Sequence, residues 1–170
     1  MKISVTRVSA TPLGPVWVAV GEKGLLAVHT HGEQDAFLGD LQRRFPQAEI
    51  AWDTPPALAA GRQIQEYLSG EREQFDIPID WSVLTPFQRA VLQQTFAIPR
   101  GETRTYGEIA AAVGKPRAAR AVGRAQATNP MPIVIPCHRV VARDGSLHGY
   151  GGFNGLETKA WLLRLEGALE

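Results

Sequence analysis

The sequence predicts an α+β fold, with an antiparallel sheet and helices in the N-terminal part and a mostly helical C-terminal part. Three observations predict it. Short runs rich in Val, Ile and Leu near the N-terminus are separated by Pro and Gly. Such runs read as adjacent strands joined by tight turns. Beyond residue 80 the apolar residues recur at helical spacing, and three helix-start signatures precede them. Two of those helices are short and joined by a Gly-containing turn, which makes a helix-turn-helix candidate. The 170 residues suit one ordinary domain or two small ones. The join falls at Trp81–Thr85, giving a domain over 1–80 and another over 81–170.

In chain order, Lys2–Val8, Val16–Val20 and Leu25–Thr30 form the meander, punctuated by Pro12, Gly14, Pro15 and Gly21–Gly24. Gln34–Phe45 places Phe37, Leu38, Leu41 and Phe45 on one helical face, and Pro46 ends it. Pro56–Leu68 is a second amphipathic helix closed by Ser69-Gly70, and Phe75–Asp80 reads as an edge strand carrying Pro78. His29 and His31 read as ordinary surface or strand histidines.

Thr85-Pro86-Phe87-Gln88 combines an N-cap, Pro at the first helical position and Gln three residues after the cap. That helix runs to about Phe96 and stops before Pro99-Arg100-Gly101. Thr105-Tyr106-Gly107-Glu108 is a second capping box, opening a helix that ends at Gly114. After the Lys115-Pro116 turn, a helix starting at Pro116 or Arg117 reaches about Ala127. It places Arg117, Arg120 and Arg124 on one face, with Ala118, Ala121, Val122 and Ala125 as a small-residue face for close packing. Ala127–Pro132 forms a non-helical bridge, Arg143–Ser146 a turn, and His148–Gly152 an open glycine-rich loop. Asn154-Gly155-Leu156-Glu157 is a third capping box, starting a helix with Trp161, Leu162 and Leu165 inside and Glu166 at its end.

Charge is divided unevenly along the chain. Residues 1–80 hold seven basic and eleven acidic side chains, a net −4. Residues 81–143 hold nine basic side chains against Glu102 and Glu108, a net +7. Residues 144–170 carry −2, which brings the total to +1. A basic block carrying an arginine stripe points to a polyanion partner, since guanidiniums suit phosphates and base edges. A solvated arginine face is the plainer alternative. A single cysteine excludes an internal disulfide and any zinc site built from several thiolates. No apolar run approaches the ~20 residues of a membrane span, so a cytoplasmic chain with no membrane partner, acting as a monomer, is expected.

The chemistry is concentrated in Ile133–Val141, an apolar run interrupted by Pro136-Cys137-His138-Arg139. Three polar or charged groups inside an apolar segment need partners, which marks the stretch as a site. A thiol attacks as thiolate and near neutral pH needs a base or a positive field. His138 is that base, acting directly or through water, and Glu166 is the carboxylate chosen to orient it. The residues alone also allow a Cys-His hydrolase, or a buried structural cysteine.

Pro136-Cys137-His138-Arg139-Val140, with Asn129-Pro130, Arg120-Ala121-Val122-Gly123 and Tyr106 in order before it, resembles the O6-alkylguanine-DNA alkyltransferases, also called methylated-DNA–protein-cysteine methyltransferases. The likeness runs from about Phe87 to Gly167 and is loose in the N-terminal half. It implies a ribonuclease-H-like N-terminal domain that supports a winged helix-turn-helix-like domain. The implied activity is single-turnover transfer of an alkyl group from O6-alkylguanine in double-stranded DNA to Cys137, after the damaged base is flipped out. O4-alkylthymine is a further implied substrate. His138 and Glu166 match the water-linked base and its orienter, and Tyr106 the group that protonates or hydrogen-bonds the leaving guanine. Arg120 matches the residue that fills the gap in the stack, and Asn129 the hinge between recognition helix and site. Arg117, Arg124 and Ala121 fall on the DNA-binding helix. Pro132, Val140, Tyr150 and Gly151 fall around the base pocket. Gly151 stands where a serine is often found, leaving only a backbone donor there. The resemblance implies no cofactor, and the cysteines that hold zinc in some members are missing. A lesion-binding relative without an acceptor cysteine is the alternative of a different class, and Cys137 argues against it.

Overall fold

The computed structural model describes residues 1–30, 32–147 and 155–170. The chain divides into two compact units, Met1–Asp80 and Trp81–Glu170. The first unit is built on a four-stranded sheet: β1 (Lys2–Val8), β2 (Val16–Gly21), β3 (Gly24–His29) and β4 (Glu49–Trp52). The spatial order is β3-β2-β1-β4, antiparallel except for the parallel β1–β4 edge. Two helices accompany it, α1 (Gln34–Arg44) and α2 (Pro55–Leu68). Helix α2 approaches β1 closely because Gly61 faces it. A Cβ there would lie 2.9 Å from Val8 Cγ2 and 3.2 Å from Thr6 Cγ2.

The α+β expectation holds, with two differences in this unit. Phe75–Asp80 is not a strand. Only Ile79 forms a bridge, to Leu25, with Pro78 O accepting from Leu25 N (2.7 Å) and Asp80 N donating to Leu25 O (3.2 Å). Pro78 has no N–H to extend the ladder. Strand β4 was not anticipated, since Glu-Ile-Ala-Trp is too short to show an alternation. His29 lies 3.4 Å from Asp40 and edge-on to Phe37, while His31 lies outside the described residues.

The second unit carries α3 (Pro86–Phe96), β5 (Arg104–Thr105), α4 (Tyr106–Ala112), α5 (Ala119–Ala127), β6 (Val140–Val141) and α6 (Leu156–Leu165). Thr85 caps α3 by accepting from Gln88 N. The Gln88 side chain is used elsewhere, donating to Thr128 O (3.2 Å) just past α5. Thr105 and Glu108 form a complete reciprocal capping box at α4. Helix α5 starts at Ala119, later than expected. Lys115-Pro116-Arg117-Ala118 closes a turn first, with Ala118 N on Lys115 O (2.9 Å). Arg117 therefore precedes the helix rather than sharing its face with Arg120 and Arg124. The third capping box is also revised. Gly155, at φ 55°, is the N-cap residue of α6 and supplies no side-chain bond, and Asn154 lies outside the described residues. Thr158, Lys159, Leu162 and Leu163 are the buried residues of α6, whereas Trp161 and Leu165 are half-buried.

The core of this unit gathers Val91, Ile98, Ile109, Ala110, Val122, Ala125 and Val140, with Phe87, Tyr106 and Val113 against it. A two-residue parallel ladder pairs Arg104 with Val140 and Thr105 with Val141. Because α4 begins at the next residue, this ladder carries Tyr106 to the strand that follows Cys137-His138-Arg139. Replacing Thr105 by Ala removes the α4 cap and is expected to cost about 1 kcal/mol of stability. Equilibrium urea unfolding of the variant measures it.

Candidate active site

Four segments of the second unit build the site. Cys137-His138-Arg139 forms one turn of 3₁₀ helix behind Pro136, and all three side chains are buried. Asn129, just beyond α5, clamps the approach to that turn. Its Nδ2 donates to Ile135 O and its Oδ1 accepts from Met131 N, both at 2.9 Å. Between those two points the chain makes a tight turn, with Ile135 N on Met131 O (2.9 Å) and Ile133 at φ 75°. A β-branched residue in the left-handed region carries about 1–3 kcal/mol of strain, which the surrounding bonds must hold. The Asn129 clamp does so while setting the backbone immediately before the cysteine.

Helix α6 contributes the ionic part. Glu166 follows its last turn and is 5% exposed, where the C-terminal end of a helix disfavours a carboxylate. It remains there because its partners are strong. Arg139 grips it with two arms, Nε on Oε1 and Nη2 on Oε2, both 2.9 Å. His138 Nε2 lies 2.8 Å from Oε2. The third arm of Arg139, Nη1, donates to Ile98 O at 2.6 Å. A carboxylate held by both arms of a guanidinium is an acceptor only, so Nε2 is the nitrogen of His138 that carries the proton. Nδ1 is then the basic nitrogen, and it is buried with no hydrogen-bond partner among the described residues.

Two turns earlier on α6, Lys159 is 1% exposed. Its Nζ donates to Val140 O (2.6 Å) and lies 3.4 Å from the Tyr106 hydroxyl, with the ammonium 5.7 Å from that ring's centre. The Tyr106 ring in turn reaches α5, since a Cβ on Gly123 would meet it at 4.0 Å. Sequence reasoning missed Lys159 altogether, and it counted Arg139 among the charges available to a polyanion. Spacing on α6 offers a weak signal for the first, because Lys159 sits three residues before the buried Leu162.

These groups shift one another. Burial pushes the Cys137 thiol up to about 11, while the Asn129 hydrogen bond, the Lys159 charge and the backbone N–H groups of Cys137 and His138 pull it part-way back. A thiol raised this far is protonated near neutral pH and needs a base to react. Burial likewise holds His138 below its ordinary value, against the pull of Glu166. Burial and then the Cys137 charge push Tyr106 up to about 12.

Comparison with known proteins places this arrangement. A family model for the ribonuclease-like domain of 6-O-methylguanine DNA methyltransferase matches residues 5–81, and the model for that family's DNA-binding domain matches residues 86–168. The chain belongs to the 6-O-methylguanine DNA methyltransferase family. A methylated-DNA–protein-cysteine methyltransferase of Methanosarcina barkeri is 43% identical over 156 residues, covering 92% of each chain. The crystal structure of the Mycobacterium tuberculosis O6-methylguanine methyltransferase superposes with a TM-score of 0.78 at 34% identity, over 99% of this chain and 94% of that one. The same organism's OGT, solved in complex with DNA, gives 0.76 at 35% identity, over 97% and 93%.

Within this family member, the remaining sequence-derived positions fall as follows. Arg120 and Arg124 are exposed on one face of α5, Arg117 is exposed in the turn before it, and Ala121 is half-buried between them. Pro132 is half-buried beside the Asn129 clamp, and Val140 is buried with its carbonyl engaged by Lys159. Tyr150 and Gly151 lie outside the described residues. No described helix is long and apolar enough to cross a membrane. Among the described residues no cluster of His, Cys, Asp and Glu could hold a metal ion.

The buried lysine gives a pH signature. Burial lowers Lys159 from 10.5 to about 8, so between those values the folded chain binds fewer protons than the unfolded one and gains stability as pH rises. Cys137, raised from 9.0 to about 11, opposes this once the pH passes about 9. Urea stability is expected to climb between about pH 8 and 9. In Lys159→Met that climb should vanish.

Proposed function

We propose that this protein repairs alkylated DNA by transferring the alkyl group of O6-alkylguanine to its own Cys137, once per molecule. The observation that carries the reading is the buried sequence Cys137–His138–Glu166, in which the carboxylate lies 2.8 Å from one imidazole nitrogen and the other has no hydrogen-bond partner among the described residues. That imidazole is a base oriented for a proton, in the chain position next to the only sulfur nucleophile.

The steps follow from the groups present. The Cys137 proton passes to His138 Nδ1, through a bridging water where a polar gap separates them. The sulfur attacks the O6-alkyl carbon in a displacement, forming the S–C bond as the C–O bond breaks. The electron pair departs with the guanine, which the Tyr106 hydroxyl protonates or hydrogen-bonds. The product is a neutral thioether with no water-driven return, so the protein is consumed. With the thiol raised to about 11, deprotonation is coupled to the bound substrate rather than completed beforehand.

Duplex DNA meets the exposed arginines at and before α5, and Ala121, a small residue, fits a narrow groove between them. The base must leave the stack to reach a buried sulfur, at a cost of a few kcal/mol. Arg120 fills the gap it leaves. Asn129 holds the recognition helix and the cysteine turn in fixed relation. Pro132 and Val140 line the pocket. The segment 1–80 supports this unit, and the protein acts as a cytoplasmic monomer whose thiol stays reduced.

Incubation with an oligonucleotide duplex containing O6-methylguanine should add one methyl to Cys137, stoichiometrically, as read by peptide mass spectrometry. Label on another residue, or repeated turnover, would count against the reading. A second expectation concerns Arg120→Ala. It should slow repair in duplex DNA by at least about tenfold, in keeping with the loss of an intercalating contact. Reaction with free O6-benzylguanine should be nearly unchanged. Equal losses with both substrates would remove the intercalating role.

A further inference from the structure

We propose that Arg139 is a positioning residue for the thiol chemistry, fixing which nitrogen of His138 receives the proton. Its two-armed grip keeps Glu166 an acceptor for Nε2–H, and Nδ1 is thereby left as the base. The proposal deepens the alkyl-transfer reading and rests on it for its place in the reaction, but its geometry stands in the protein alone.

A buried carboxylate raises the proton affinity of a neighbouring imidazole. Alone beside His138, Glu166 would draw a second proton onto the ring and make an imidazolium–carboxylate pair, which cannot accept a thiol proton. Arg139 competes for the same carboxylate. Its Nη2 shares Oε2 with His138, its Nε takes Oε1, and its remaining arm is pinned to Ile98 O. The carboxylate's charge is then spent on a partner that never gives up its own proton. Glu166 keeps its orienting hydrogen bond to the imidazole while losing most of its power to protonate it.

The other charged groups around His138 act in known directions. From α6, Glu166 favours the imidazolium and Lys159 disfavours it, and Arg139 on the same turn disfavours it too. Cys137, on that turn, is a protonated thiol at rest. Helix α3 also packs against the turn, and its one ionisable side chain, Arg89, is directed to Trp81 O (3.0 Å) and Leu84 O (3.3 Å) instead. Among the described residues, removing Arg139 leaves burial and Lys159 to oppose the pull of Glu166. The balance moves toward an imidazolium.

The role divides cleanly from simple support. A residue that only braced the fold would lower the rate evenly across pH. A residue that sets the imidazole's protonation moves the pH dependence itself.

Nitrogen-15 NMR of the His138 ring, without DNA, is the test. The wild-type ring should show the Nε2–H tautomer at neutral pH and remain neutral well into the acid range. In Arg139→Met its titration should move up by about one pH unit or more. The acid limb of the rate of methyl transfer should rise by the same amount, so that the loss of rate is greatest below pH 7. Arg139→Lys retains a charge near Glu166 and should keep the limb in place, with a smaller loss of rate. An Nδ1–H tautomer in the wild-type protein overturns the proposal, as does a His138 titration unchanged in Arg139→Met. If Arg139→Met does not fold, the wild-type tautomer and the Arg139→Lys limb still decide it. Because the ring is observed without substrate, a protein that failed to take a methyl group would leave this result standing on its own.

Discussion

One buried carboxylate holds the chemistry of this protein together. Glu166 stands at the end of a helix where the backbone dipole disfavours it, and inside the protein where water cannot solvate it. Breaking a buried pair by removing one partner typically costs several kcal/mol, because the charge left behind has nowhere to go. Glu166 is therefore committed to its partners, and those partners are two neighbouring residues of the cysteine turn. The interaction ties α6 to that turn. It fixes the imidazole, and through the chain it fixes the sulfur one residue earlier. Asn129 secures the same turn from the other side by bonding Ile135 O two residues before Cys137.

The setting explains why so guarded a sulfur can still be a nucleophile. At 4% exposure Cys137 is kept a thiol by the cost of burying a thiolate, and it is shielded from adventitious oxidants and electrophiles. Asn129, Lys159 and two backbone N–H groups nonetheless favour the ionised form, and each is already in place. Preorganised donors of this kind are worth most where charge develops during the reaction and water is excluded. For a protein used once, low background reactivity matters as much as speed, since each stray alkylation or oxidation removes a whole molecule from service.

The sequence was most informative where structure is local. The Thr105–Glu108 box and the Thr85 cap are written in four consecutive residues, and both form. The proximity of Glu166 to His138 was also legible, because a carboxylate at a helix end and an imidazole inside an apolar run each need an explanation, and each supplies the other's. Less legible was everything set by tertiary geometry. Nothing near Ile133 announces a left-handed residue, since the demand comes from the Asn129 clamp on both sides of it. Strand β4 exists only because the edge of β1 is available to pair with it. Arg117 left the helical face once Pro116 was used to close a turn, and a periodicity argument cannot foresee where a helix yields to the turn before it. Lys159 looks like any surface lysine of an amphipathic helix until Val140 O and Tyr106 are brought to it.

Arg139 shows why a charge count misleads about a binding face. Residues 81–143 carry a formal +7, yet several of those charges are turned inward. Arg139 is spent on Glu166 and Ile98 O, Arg89 on two backbone carbonyls, and Arg100 donates to Leu165 O at the end of α6. Arg104 is paired with Glu102. The arginines that remain exposed in and before α5 are Arg117, Arg120 and Arg124. They fall within eight consecutive residues, and Lys115 and Arg143 are the other exposed basic residues of this block. The division has a physical logic. Guanidinium keeps its charge when buried and satisfies a carboxylate or carbonyls in fixed geometry, so the same residue type serves both the interior and the exposed surface. Composition cannot separate these uses, and only the partner of each guanidinium can.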